Sequence, residues 1–260
     1  MNRMSQKAAY PYIIWIVGFI IIPILYIFSY AVHDENGLTL KYVLSILWTV
    51  HRKPLFLSLY LAFICVVVCL IISIPLAIIL RQVQSRIVIF LFMLPMWMNT
   101  ILSILAWKLL LAPRGLISHF LPSVSILNTV FATELGMIYD LLPFAIIPIH
   151  TAFAAIDEDV IRCAWDLGAN RWQVFCKVML PLARDGIVSA IVMVFVPALT
   201  SFVVSDMLGG GKVMLIGNVI EQEFTNLMDW HLGAGLSLVL MVFVLLSTFI
   251  LDENEKNEYE

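Results

Sequence analysis

The stretch LFLSLYLAFICVVVCLIISIPLAIIL, residues 55–80, runs for 26 positions without one charged side chain. A helix of that length outreaches the roughly 30 Å hydrocarbon core of a bilayer, which about 20 apolar residues already span. Working outward, Arg81 and Arg86 bracket a very short polar link, and residues 87–107 are uncharged again. Uncharged runs recur at 8–32, 186–205 and 232–251, and 129–150 is apolar but carries Glu134 and Asp140. The expected fold is therefore an all-α integral membrane protein with six transmembrane helices. They are placed at about 10–32, 55–80, 87–109, 129–150, 186–206 and 232–251 of one transmembrane domain covering residues 1–260.

Composition agrees. Of 260 residues, 62% are hydrophobic and 13% charged, against about 25% charged in soluble domains. Mean hydropathy is +0.99. This balance excludes a soluble enzyme and a disordered chain, and long apolar runs argue against a membrane β-barrel, whose strands alternate. With a net charge of −3 there is no basic field for nucleic acid. Arg3 and Lys7 before an apolar stretch resemble a signal peptide. The stretch is too long for one and lacks a small-residue cleavage site, so it reads as a retained helix.

Lys and Arg set the orientation. With the N-terminus inside, nine fall on the inner side (Arg3, Lys7, Arg81, Arg86, Arg162, Arg171, Lys177, Arg184, Lys256) and six outside (Lys41, Arg52, Lys53, Lys108, Arg114, Lys212). Both termini are expected in the cytoplasm of a cell whose inner membrane holds the protein, with Trp48, Trp107 and Trp230 near the outer interface. Pro23, Pro75, Pro95, Pro143, Pro148 and Pro197 fall inside spans. Each frees a carbonyl that needs a partner in lipid, which favours a pathway-forming bundle over a passive anchor.

Residues 151–185 form the one long inner segment, and it is not linker-like. Asp157, Glu158 and Asp159 suit a helix start. Val160, Ile161, Ala164 and Leu167 recur at helical spacing, and Gly168 suits the left-handed position that ends a helix. Asn170 with Gln173 three residues later predicts a capping box, followed by a second stripe of Val174, Phe175, Val178 and Met179 before Pro181. The prediction is helix, tight turn, short helix, with Arg171 and Trp172 exposed at the turn. Either a protein partner or lipid headgroups would cover them.

Asp166-Leu167-Gly168-Ala169-Asn170, then Phe175 and Leu180-Pro181, resembles the "EAA" signature of ABC importer permeases. That signature reads approximately E-A-A-x-x-L-G-A and ends I-x-L-P. Ala164, Leu167, Gly168, Ala169, Leu180 and Pro181 match, while Arg162 and Cys163 stand where the family has Glu and Ala. Met93-Leu94-Pro95-Met96-Trp97-Met98-Asn99-Thr100 and Leu141-Leu142-Pro143-Phe144 resemble the spermidine/putrescine permeases. So do Ser205-Asp206-Met207-Leu208-Gly209-Gly210 and Leu215-Ile216-Gly217-Asn218-Val219-Ile220. The similarity is to the first permease subunit of such importers. It implies a type I importer fold in which 151–185 holds a coupling helix. It implies that Ala164, Asp166, Leu167, Gly168, Ala169, Asn170, Arg171 and Trp172 meet an ATPase. The implied partners are a second permease subunit, two ATP-binding subunits that use ATP and magnesium, and an extracytoplasmic substrate-binding protein. This chain itself would bind no cofactor.

Acids inside a membrane are costly and mark function by default. Glu134 and Asp140 lie within the fourth span. The outer segment 206–231 carries Asp206, Glu221, Glu223 and Asp229 against Lys212 alone, a sign that concentrates cations. Trp97, Asn99, Tyr139 and Phe202 are candidate neighbours on the pathway, the aromatic faces through cation–π contacts. The ordinary alternatives are a structural hydrogen bond for Asp140 and simple solvation for the outer acids.

No catalytic constellation is present. Gly209-Gly210-Gly211-Lys212 lacks the spacing and the hydroxyl of a phosphate loop. Five scattered histidines (His33, His51, His119, His150, His231) and the thiols Cys65, Cys69, Cys163 and Cys176 show no metal spacing. Two other function classes stay open: an ion-coupled secondary transporter relaying through Asp140 and Glu134, and an ABC permease for another small substrate.

Overall fold

The computed structural model describes residues 11–34, 37–47, 49–83, 86–113, 115–117 and 126–256. The expectations placed on Arg3, Lys7, Trp48, Arg114, His119 and the end of the acidic tail lie outside the described residues. The helices used below are α1 (Pro11–Val32), α2 (Thr49–Gln82), α3 (Arg86–Trp97), α4 (Thr100–Leu111), α5 (Val130–Ala155) and α6 (Glu158–Asp166). They continue with α7 (Arg171–Leu182), α8 (Arg184–Thr200), α9 (Val203–Gly209), α10 (Ile216–Thr225) and α11 (Trp230–Lys256). A two-residue hairpin pairs β1 (His33–Asp34) with β2 (Gly37–Leu38).

Among the described residues, four helices are long and apolar enough to cross a bilayer alone: Pro11–Val32, Val50–Gln82, Val130–Ala155 and Trp230–Phe249. Two bent helix pairs bring the number of crossings to six if each pair is counted as one span. The pair α3 and α4 meets at 91°, and the pair α7 and α8 at 67°. Within the expected span 87–109 the helix breaks between Trp97 and Thr100, and within the expected span 186–206 it ends at Thr200 before a separate α9. The first breaks because Asn99 adopts an extended conformation and its Oδ1 accepts from the N–H groups of Ile101 and Leu102 at 3.0 and 3.2 Å, starting a new helix. The second ends at Thr200, whose Oγ1 returns to the carbonyl of Val196 at 3.1 Å just after Pro197. The chain then turns at Ser201 and Phe202 into α9.

Packing gathers the chain into two compact units, Met1–Lys53 with Val219–Ser247, and Pro54–Asn218 with Thr248–Glu260. In the first, His231 holds the end of α1. Its Nδ1 lies 2.9 Å from the Tyr30 carbonyl, and its ring lies 5.1 Å from that of Tyr30 and 5.3 Å from that of Tyr42. Gly235 lets α11 approach the Tyr42 backbone, where a methyl would come within 2.6 Å of the Tyr42 carbonyl carbon.

In the second unit α5 is the central helix. It packs against α3, α4, α8 and α9, and buries Ala132, Gly136, Met137, Ala145, Ile149 and Phe153 among others. Small residues set these approaches, as expected where lipid tails leave packing to drive helix association. Gly186 of α8 lies so close to α5 that a methyl there would collide with Ala152 Cβ and sit 2.7 Å from the Pro148 carbonyl oxygen. Gly136 meets Leu208 and Val204 of α9 in the same manner.

Candidate functional site: the helical turn after α5 and the acids of α5

Arg81, at the end of α2, donates from Nη2 to the Ile156 carbonyl at 2.8 Å and fixes the exit of the chain from α5. Asp157 then caps α6, its Oδ1 accepting from Asp159 N–H at 3.0 Å. The helix closes with Leu167 N–H on the Cys163 carbonyl, Gly168 N–H on Trp165 and Ala169 N–H on Ala164, at 2.8–3.1 Å. Gly168 has φ +84°, where any side chain is strained, and the space around it is open. The anticipated capping box is present. Gln173 N–H donates to Asn170 Oδ1 at 2.8 Å, and Asn170 N–H donates to Gln173 Oε1 at 2.9 Å. The N–H groups of Leu167, Gly168, Ala169, Asn170 and Gln173 are thus all bonded within the turn.

The tied-down tip presents apolar surface. Leu167 is 89% exposed and Trp172 71% exposed, with Trp165 half exposed. Of the stripe Val160, Ile161, Ala164 and Leu167, one side chain is buried. It is that of Ile161, and the helix ends at Leu167. The second stripe does face inward at Val174 and Met179. Arg162, the departure from the family signature, is held within its own helix, 2.9 Å from Glu158 and 3.6 Å from Asp159. Such exposed pairs contribute well under 1 kcal/mol.

The other candidate residues are scattered. Glu134 is buried, and neither carboxyl oxygen has a hydrogen-bond partner among the described residues. It faces Cys65 of α2, one turn from Cys69, both fully buried thiols. Asp140 is half-buried on α5. Beside it Tyr139 meets Trp107 edge-on at 5.4 Å. Trp97 is exposed and packs edge-on against Phe90 at 6.2 Å, and Asn99 spends its side-chain oxygen on capping α4. Asp206 is exposed on α9. Glu221 accepts from Thr225 Oγ1 at 2.9 Å on its own helix. Glu223 is buried, and that burial raises its carboxyl above the ordinary range; Asp229 adds to the rise and His51 opposes it.

Three structural contacts carry no sequence signal. Asn218 Oδ1 accepts from Leu215 N–H and its amide donates to the Phe202 carbonyl, pinning the corner after α8. Ser58 Oγ accepts from Ile216 N–H at 2.8 Å. Arg81 braces the turn segment. A polar residue in an apolar run announces a hydrogen bond, but not the element that completes it.

Glu134 supplies a direct prediction. Removing an unsatisfied buried polar group relieves about 1–3 kcal/mol. Glu134→Met is therefore expected to raise the thermal unfolding temperature in detergent. If the carboxyl serves transport, uptake falls in the same variant. An unfolding temperature lower than wild type would show that Glu134 has a stabilising partner.

The chain belongs to the family described as "Binding-protein-dependent transport system inner membrane component", which matches residues 70–252. It is a multi-pass inner-membrane permease subunit of an ABC-type importer and not a catalyst. It is 31% identical over 268 residues to the spermidine/putrescine transport system permease protein PotB of Haemophilus influenzae, covering 96% of this chain and 94% of that one. It is also 31% identical over 245 residues to PotB of Escherichia coli, covering 88% and 89%. The crystal structure of a bacterial ABC transporter involved in import of the acidic polysaccharide alginate contains a chain of the same fold. The TM-score is 0.79 at 16% identity, over 98% of this chain and 95% of that one.

Proposed function

We propose that this chain is one permease half of an ATP-driven importer for polyamines such as spermidine and putrescine. It pairs with a second permease subunit. Two ATP-binding subunits grip the turn Leu167–Trp172 from the cytoplasm, where both termini also lie, and an extracytoplasmic binding protein delivers substrate from the other side. The observation that carries the reading is the tip: two large apolar side chains, Leu167 and Trp172, exposed on either side of a left-handed glycine and a capping box. Exposed apolar surface of that kind marks a partner. ATP-driven closure of the ATPases would move the tip as a lever and switch the bundle between inward- and outward-facing states. The names of the relatives and the acidic outer segment support a polyammonium cargo.

The test is uptake of labelled spermidine and putrescine into membrane vesicles, with and without the ATPase subunits and with an ion uncoupler. Uptake that requires the ATPase and survives the uncoupler is expected. Uptake abolished by the uncoupler alone would move the assignment to an ion-coupled carrier working through Glu134 and Asp140. In the same assay Asp206→Asn is expected to lower polyamine uptake several-fold at equal membrane abundance, because one negative charge leaves the exposed face of α9. Unchanged kinetics would remove Asp206 from the pathway.

A further inference from the structure

A cavity of about 410 Å³ lies behind the turn, between the end of α2 and the helices α6 and α7. Arg81 and Gln82 from α2 and Arg171 from α7 supply its polar wall. Ile78, Val174, Phe175 and Met179 supply a continuous apolar wall, with the indole of Trp165 at its side. No carboxylate is among its described lining residues. Two guanidiniums therefore share one concavity with no internal counter-charge. The single Arg81 bond to Ile156 leaves most of its five donors unused.

The place of this cavity in the fold narrows its occupant. Arg81 and Gln82 are the last residues of a span that runs from Val50 to Gln82. The cavity thus lies at the end of that candidate span, where the uncharged run 55–80 gives way to Arg81. A basic concavity between helices at that level, with an apolar wall continuing toward the membrane core, suits a molecule with an anionic phosphate head and acyl chains. Arginine forks match phosphate oxygens, and an interfacial indole packs against the glycerol region. We infer that this cavity binds one anionic phospholipid of the cytoplasmic leaflet, its phosphate between Arg81 and Arg171 and its chains along Ile78, Val174 and Met179. The bound lipid would tie α2 to α7 and stiffen the base of the coupling turn. The leaflet follows from the orientation under Proposed function and so rests on that reading; the cavity and its charge do not.

The test uses the complete importer purified in mild detergent and examined by native mass spectrometry. The probes are phosphatidylglycerol, phosphatidylcholine and inorganic phosphate. Preferential retention of phosphatidylglycerol over phosphatidylcholine is expected, weakened about fivefold for each arginine replaced. The variants are Arg81→Gln, with Arg81→Lys to keep the charge should loss of the Ile156 bond unfold the turn, and Arg171→Gln, which lies in the turn assigned to the ATPase and is therefore scored for ATPase attachment as well as lipid retention. Retention unchanged in Arg171→Gln and Arg81→Lys,Arg171→Gln would overturn the assignment. Displacement of the lipid by millimolar inorganic phosphate would overturn it too, by making the free anion the ligand. Loss of the selectivity with folded complex intact supports it. The same spectra report whether ATPase subunits remain attached, so a failure of the coupling reading is seen separately from a failure of lipid binding.

Discussion

Gly168→Pro is expected to abolish substrate uptake and to strip the ATPase subunits from the purified complex, while the chain still inserts in the membrane. Proline fixes φ near −65°, and Gly168 sits at +84°. Its N–H, which donates to the Trp165 carbonyl at 2.8 Å, would also be lost. The left-handed turn cannot survive, so Leu167 and Trp172 would no longer project together. The local cost is about 3 kcal/mol or more. That cost falls on a turn outside the spans, which is why insertion is spared. Gly168→Ala isolates the backbone term. The space around Gly168 is open, so only the strain of about 1–2 kcal/mol applies and partial uptake is expected. ATPase co-purification and uptake at wild-type levels in the proline variant would refute the role given to the turn.

Gly186→Val should produce the largest loss of stability. Its side chain would drive into Ala152 and into the Pro148 carbonyl, and the backbone oxygen cannot swing aside as a flexible side chain can. Overpacking costs about 1–3 kcal/mol per site, and more where backbone blocks relief. The contact joins α5 to α8, the central pairing of the larger unit. Membrane abundance should fall steeply, and the residual protein should unfold at lower temperature in detergent. Gly186→Ala should show the same sign with smaller amplitude. An unfolding temperature equal to wild type in Gly186→Val would mean the two helices are farther apart than described.

The turn segment was legible in the sequence because its determinants are local. A left-handed glycine and an Asn–Gln capping box act within four residues, so pattern and geometry coincide at Gly168, Asn170 and Gln173. The breaks were not legible. Hydropathy measures how apolar a stretch is and carries no direction. The 91° bend rests on Asn99, which the sequence offered as a pathway residue and the structure employs as a cap. Of the acids, Glu134 stands out because it is buried with no hydrogen-bond partner among the described residues, and that burial comes from tertiary packing its own segment does not encode. Asp206 and Glu221 show only where they sit.

The central claim is that a separate ATPase holds the tip formed by Leu167 and Trp172. It is tested most directly by site-specific cross-linking. Cysteine is placed at Leu167, the native Cys65, Cys69, Cys163 and Cys176 are replaced, and a bifunctional thiol reagent is applied to inside-out vesicles loaded with substrate and binding protein, whose outward cytoplasmic face hydrolyses added ATP. The account predicts a single permease–ATPase adduct whose yield changes when ATP is added. A transport-competent complex that gives no such adduct, with residue 167 labelled instead by an impermeant reagent added to right-side-out vesicles, would contradict it.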